Sequence, residues 1–388
     1  MQPDQTSLYA QLASTESYLA VDPGNAPLLA RAIDLCLELG DAARALPHAE
    51  AATALDPADP FLAYRHGIVL MGLHQWAPAR ALLAPLAARD PDVNLAIATA
   101  TCSMMLGDAP AVLAVLAPFA SDPQLPGAAV TLLVRAHHHM GDVDSALALV
   151  ATHRDRMAGD VAFCGAAALA CLDAGQLDDA AAFSAAAREA GAAQGLSTVE
   201  ADVTLATIAL VNTDPATAIA GFEAVLAAHP EEGRSWSGLG MANLLRRDFT
   251  SAGPQLEKAV HLMPGHIGSW HTLGWCRIFE GHYSAAAQAF ETALALDRNF
   301  AESHGGLAVV AALSGQREEA EAAAQRALGL DRTSLAARYA QMVLAGDTLD
   351  QDRFRTLALR LLRGHRTPLG ESLADVVLRE NEQPGDAR

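Results

Sequence analysis

The chain has 388 residues, of which 51% are apolar and 5% aromatic, and a formal net charge of −19 at pH 7. That acidic balance excludes the basic stripe a nucleic-acid surface needs to replace counterions, and it opposes an anionic membrane face. It favours solubility and basic partners, while Ala and Leu dominate the apolar residues and suit close-packed helices better than sheets.

In chain order, residues 5–20 read as one helix closed by Val21-Asp22-Pro23. From residue 26 a period takes over. Ala218, Ala252, Ala286 and Ala320 recur every 34 residues, as do Trp236 and Trp270, Gly240 and Gly274, and Ala259, Ala293 and Ala327. A fixed period of that length marks stacked supersecondary units. The clearest unit is 233–266, with Trp236 fourth, Leu239 seventh, Gly240 eighth, Ala252 twentieth, Leu256 twenty-fourth, Ala259 twenty-seventh and Pro264 thirty-second. The unit 267–300 repeats Trp270, Leu273, Gly274, Ala286, Phe290 and Ala293, with Arg298 in place of the final Pro.

These residues resemble the tetratricopeptide repeat, whose pattern asks for Trp, Leu, Gly, Tyr, Ala, Phe, Ala and Pro at those places. Asn243 and Arg277 depart from it at the eleventh position, and His304 stands at the Trp place of 301–334. About nine units then cover 26–334, carrying Ala45, Ala79, Ala146, Ala180 and Ala218 at the twentieth place. The segment 94–126 is degenerate, with Leu113 at the alanine place and two residues missing, and a short insertion stands near 193–196. The domain reading is therefore a capping helix in 1–25, the repeats in 26–334, capping helices in 335–380 (at 335–345, 351–364 and 369–380) and a tail at 381–388.

The fold expected is all-α, a right-handed superhelical solenoid of antiparallel helix pairs. Small residues at the eighth and twentieth positions are expected to face each other where the helices cross, since a larger side chain would force them apart. The Asp of Asp56-Pro57, Asp90-Pro91 and Asp122-Pro123 is expected to cap the helix that follows. No unit buries its apolar face alone, so the units stack.

Catalytic motifs are absent from the sequence: no P-loop, no Rossmann glycine fingerprint, no HExxH and no GxSxG elbow. The repeats also resemble those of the O-linked N-acetylglucosamine transferases, but only about 54 residues follow them here, too few for a catalytic domain. The chain is read as no enzyme, with no cofactor. Cys36, Cys102, Cys164, Cys171 and Cys276 read as buried small hydrophobes of a reducing, cytoplasmic, bacterial-type setting. No signal peptide or membrane-spanning stretch is visible. The run His137-His138-His139 invites a metal, but successive helical residues point about 100° apart and cannot chelate one ion, so no metal site is assigned.

The resemblance implies a concave face lined by first helices at positions two, five, nine, twelve and thirteen, where partner proteins bind. Carried onto this sequence, that gives Phe61, Tyr64, Ile68 and Met71 in 60–93, and Thr131, Arg135 and His138 in 127–160. It also gives Arg234, Met241 and Leu244 in 233–266, and His271, Trp275, Ile278 and Phe279 in 267–300. Trp275 is expected to anchor the partner, either open in the groove or covered by a C-terminal helix. The function expected is a non-catalytic scaffold or adaptor that holds an extended or helical apolar segment of a partner protein, with a basic partner favoured by the acidic balance. The alternatives are a dedicated chaperone for a secreted or membrane-assembled protein, and an accessory subunit regulating an enzyme such as a transferase.

Overall fold

A computed structural model describes residues 5–362 of the chain. The expected helix 369–380 and the tail 381–388 lie outside the described residues. All regular structure within them is helical. Helix α1 (Gln5–Val21) precedes nine antiparallel pairs: α2–α3 (Ala26–Glu38, Ala42–Leu55), α4–α5 (Pro60–Gly72, Trp76–Arg89), α6–α7 (Val93–Met105, Ala109–Leu116), α8–α9 (Gly127–His139, Val143–His153), α10–α11 (Val161–Asp173, Leu177–Gln194), α12–α13 (Val199–Val211, Pro215–Ala228), α14–α15 (Gly233–Leu245, Phe249–Leu262), α16–α17 (Ile267–Phe279, Tyr283–Leu296) and α18–α19 (Ala301–Leu313, Arg317–Leu330). Helices α20 (Leu335–Leu344) and α21 (Gln351–Leu362) follow. The contacts divide this all-α solenoid into two compact units, with the boundary between Thr198 and Val199.

Within each unit the layering is the same. Each first helix packs on the first helix of the next pair, α2 to α10 in one unit and α12 to α18 and then α20 in the other. Each second helix packs on its own first helix and, within its unit, on the next one. The first helices thus form one row and the second helices another.

The packing corrects one expectation. Where the eighth residue is Gly, at Gly67, Gly240 and Gly274, it faces chiefly the twenty-fourth side chain of its own pair. A Cβ built on Gly274 would lie 2.6 Å from the Phe290 ring, and one on Gly240 would lie 2.6 Å from Leu256 and 3.4 Å from the Ala252 carbonyl oxygen. The same Phe290 ring touches Gly306 at the sixth place of the next pair, where a Cβ would meet it at 2.5 Å. Phe222 seats against Gly238 in the same way. The twentieth residue is still completely buried, at Ala45, Ala79, Ala146, Ala180, Ala218, Ala252, Ala286 and Ala320.

In the degenerate pair the buried residue at this place is Val112, while Leu113 is only partly covered. Helix α6 begins at Val93, 33 residues after the start of α4 and 34 before that of α8, so one residue is missing rather than the two expected, and it belongs to the loop before α6. The pair itself differs in its short second helix, which ends in a single 3-10 turn at Ala117–Phe119. The expected insertion near 193–196 lengthens α11, which closes on Gly195 at φ 65°.

The Asp-Pro caps also need correction. Asp59 and Asp92 accept the free N–H groups at the starts of α4 and α6. Asp56 and Asp122 instead close turns, accepting from Ala58 N at 3.0 Å and Gln124 N at 2.8 Å. Pro57 and Pro91 stand three and two residues before their helices, which leaves room for Asp59 and Asp92 as caps, whereas α8 begins four residues after Pro123 and has no side-chain cap.

The fourth position has a polar task as well as an apolar one. Trp236 Nε1 donates to the Pro230 carbonyl and Trp270 Nε1 to the Pro264 carbonyl, both at 2.8 Å. His304 makes the equivalent bond from Nε2 to the Arg298 carbonyl at 3.0 Å, which requires the proton on Nε2. An imidazole can therefore replace indole here without orphaning the carbonyl.

In every pair the turn between the helices passes through a left-handed residue. Six of these are Gly, and the others are His74, Thr213 and Arg247 at φ 57°, 56° and 60°. The next N–H then bonds back into the first helix, as in Asp214 N to the Ala209 carbonyl at 2.9 Å. A β-branched residue is the least suited to this conformation. Thr213→Gly is expected to stabilise the second unit by about 1 kcal/mol, and thermal melts that show no rise would contradict it.

Candidate functional site

The expected groove residues separate by burial. Thr131 and Ile278 cannot line an open surface. Thr131 is 3% exposed because α8 is enclosed by α6, α7, α9 and α10, and its Oγ1 has no hydrogen-bond partner. Ile278 is buried with Phe290, Val309 and Val310 against α18. Tyr64, Ile68 and Met71 are half-buried against Leu70, Leu83 and Leu95, leaving Phe61 as the open member of that set. Arg135 and Arg234 are partly covered. His138 Nε2 is held 2.6 Å from Asp173 Oδ2 on α10, and its side chain is largely covered. His137 turns to Asp142 at 3.1 Å, so the histidine run diverges from any common point.

The second unit brings its residues together. Met241, Leu244 and Leu245 lie at i, i+3 and i+4 on α14, which puts them on one face. Trp275, Ile278 and Phe279 hold the equivalent places on α16, the neighbouring first helix. Met241, Leu245 and Phe279 are exposed at 39%, 58% and 56%, and Leu244 and Trp275 are half-buried beside them. Phe279 stacks on Phe249, with ring centroids 5.4 Å apart and planes 22° apart, and tilts against Trp275 at 6.1 Å. Apolar residues of this size in the open form a strip across two adjacent helices.

Leu245 is absent from the sequence-derived set. Its signal was available: it is the thirteenth residue of its unit, the place Phe279 occupies in the next.

Trp275 is neither fully open nor covered by a capping helix among the described residues. Its indole N–H donates to Nε2 of His271, one turn earlier, at 3.0 Å. Its ring meets Phe290 edge-on at 6.2 Å. His271 is enclosed by Trp275, Phe290 and Phe300. Because Nε2 accepts, the imidazole is neutral with its proton on Nδ1, which faces Ser303 Oγ at 3.4 Å. Burial lowers its pKa from 6.5 to about 4. The indole is thus oriented from within, and its polar handle is not available to a partner.

The five cysteines are all buried and free. Burial raises the thiols of Cys36, Cys164, Cys171 and Cys276 to about 11, which keeps them protonated and poor nucleophiles. No group of three or more His, Cys, Asp or Glu side chains among the described residues is placed to hold a metal. No helix among them is long and apolar enough to cross a membrane.

The tetratricopeptide repeat family model matches residues 203–267 and 273–334. No curated protein matches the chain. Among solved structures, MamA is 19% identical over 42% of this chain and 94% of its own, with a TM-score of 0.36. YrrB, described as a TPR protein with an unusual peptide-binding site, is 21% identical over 50% of this chain and 96% of its own, with a TM-score of 0.37. A monomeric mutant of IFIT1 with Gppp-AAAA is 12% identical over 93% of this chain and 91% of its own, with a TM-score of 0.57. At that identity the last likeness shows the fold alone.

The buried imidazole has a consequence for stability. Between pH 6.5 and about 4 the unfolded chain binds a proton at His271 that the folded chain does not. The contribution of this group is therefore complete above pH 6.5 and is lost as pH falls toward 4. Urea unfolding at pH 7.5 and pH 5 is expected to show a smaller loss for His271→Gln than for wild type. Equal losses would show that His271 is not held neutral.

Proposed function

We propose that this chain, whose residues 203–267 and 273–334 match the tetratricopeptide repeat model, is a non-catalytic scaffold that holds an apolar segment of a partner protein on the first helices of its second unit. The observation that carries this reading is the strip formed by Met241, Leu244, Leu245, Trp275 and Phe279. Met241, Leu245 and Phe279 stand open at these places on adjacent helices, and an exposed apolar patch of this kind is a common mark of a binding surface. The second helices, by contrast, carry their buried alanines toward the core.

The strip favours a segment that presents side chains at helical or extended spacing, so that two or three of them fall between Leu245 and Phe279. Phe279 and Leu245 take the role of anchors, with Trp275 as a fixed wall. The Phe61 region of the first unit is weaker support for a site. Its first-helix row is interrupted by charge, with Asp34 tied to Arg65 at 2.8 Å and His138 tied to Asp173.

Peptides selected from a displayed library against the whole chain test the proposal. Binding is expected to fall at least tenfold in Leu245→Asp and in Phe279→Asp, and to persist in Phe61→Ser. Unchanged affinity in both strip variants would remove the strip as the site.

A further inference from the structure

The strip has a charged end. Arg246 and Arg247 follow Leu245 directly and lead into Asp248 and Phe249, the residue stacked on Phe279. Both arginines are exposed, and neither is ion-paired among the described residues. The carboxylates nearby are already engaged. Asp248 caps α15, accepting from Ser251 N at 3.1 Å and from Ser251 Oγ at 2.7 Å. Glu280, just after α16, is tied to Arg277 at 2.5 Å and faces His282 at 3.2 Å. Glu232 and Arg234 lie at the other end of α14, about 20 Å away along its axis. Two arginines against one aspartate leave the turn after Leu245 positive.

This charge is placed against the preference of the backbone. Six of the nine turns pass through a left-handed Gly, whereas this one uses Arg247 at φ 60°. A side chain is strained there relative to glycine. His74, at the same place in its own pair, sets its ring against Trp76 at 5.4 Å. The Arg247 guanidinium has no ring contact or ion pair among the described residues.

The whole chain is acidic, with 45 Asp and Glu against 26 Lys and Arg, which favours basic partners. At physiological salt that field is screened beyond about 8 Å. The charges at the edge of the strip therefore select what binds beside Leu245.

We propose that the partner segment carries carboxylate side chains next to its apolar anchors, and that Arg246 and Arg247 hold them at the Leu245 end of the strip. The proposal rests on the reading of the strip as a binding surface. Leu245 and Phe279 stand at the same place on neighbouring first helices, about 10 Å apart at ordinary interaxial spacing. Anchors at i and i+7 of a helix, or at i and i+3 of an extended segment, span that distance. An Asp or Glu within one turn of the anchor on Leu245 then meets the two guanidinium groups. Exposed charges at the rim of a site act chiefly on the choice of partner.

The strip-dependent peptides from the displayed library are the probes. Each is remade with both ends blocked, so that only side chains carry charge, and with Glu, Gln or Lys beside its apolar anchors. With the full wild-type chain at low salt, the Glu form is expected to bind about fivefold more tightly than the Lys form. The difference is expected to shrink below about twofold in about 0.5 M NaCl, and to reverse in Arg246→Glu/Arg247→Glu. Equal affinities at low salt, or a preference for Glu that survives the charge reversal, overturn the proposal and leave the strip a binding site. A selection that yields no peptide lost in Leu245→Asp and Phe279→Asp removes the strip and this proposal with it. Arg247→Gly separates recognition from structure. It is expected to raise the melting temperature by about 2 °C while weakening the Glu form about threefold. A lower melting temperature, or an unchanged affinity for the Glu form, overturns the part given to Arg247.

Discussion

The structure depends on a large side chain held between two small ones. The twenty-fourth residue of a pair projects from the second helix onto the eighth residue of its own first helix. In the second unit Phe290 also reaches the sixth residue of the next pair, so that one ring lies between Gly274 and Gly306. The contact joins the two helices of a pair and joins that pair to its neighbour in a single packing event. Where the large residue is Leu, as at Leu83 and Leu256, it rests on Gly67 and Gly240 in the same manner. At Gly67, Gly240 and Gly274 the helix surfaces approach until an added Cβ would clash, the close-packed limit of a protein interior, whereas other pairs carry Ala, Val or Ile at this place. A pair without its neighbour would leave half of that ring in water, so stability must be distributed along each unit.

This constraint decides which residues are available for function. Within a unit, a first helix is covered on one side by its own second helix, on another by the second helix that precedes it, and on its flanks by other first helices. What remains open is a narrow line near positions two, nine and thirteen. Helix α8 shows the limiting case, with Ala129 through Val134 all buried, so a threonine on the nominal groove face becomes a core residue. On α14 and α16 the line stays open at the thirteenth place, and Leu245 and Phe279 stand there.

Much of the fold was legible because its requirements are local and repeated. Alanine at the twentieth place is completely buried in eight pairs, so its period survives where the rest of the pattern has decayed. The same reasoning failed at the degenerate pair, where a one-residue change in the preceding loop placed Val112 where Leu113 was expected. It failed again at the Asp-Pro steps, since a turn closed by Asp56 and a helix capped by Asp59 offer the same residue types a few places apart. The candidate site was less legible. Position within a repeat says which face a residue is on, while exposure depends on how closely the neighbouring helix approaches. Ile278 and Phe279 are adjacent in sequence, yet one is core and the other surface.

Trp275 illustrates how a residue can matter without being an anchor. An indole N–H left unbonded in a half-buried position would carry a desolvation cost, and a partner would have to satisfy it. His271 satisfies it from the same helix, and Phe290 fixes the ring from the second helix behind. Phe290 is the same side chain that locks this pair to the next. The wall of the strip is therefore an extension of the packing that holds the array together, and its orientation is set before any ligand arrives. A segment binding there meets a surface with little side-chain entropy left to lose at Trp275, and the adjustable contacts fall to Met241, Leu245 and the outer face of Phe279.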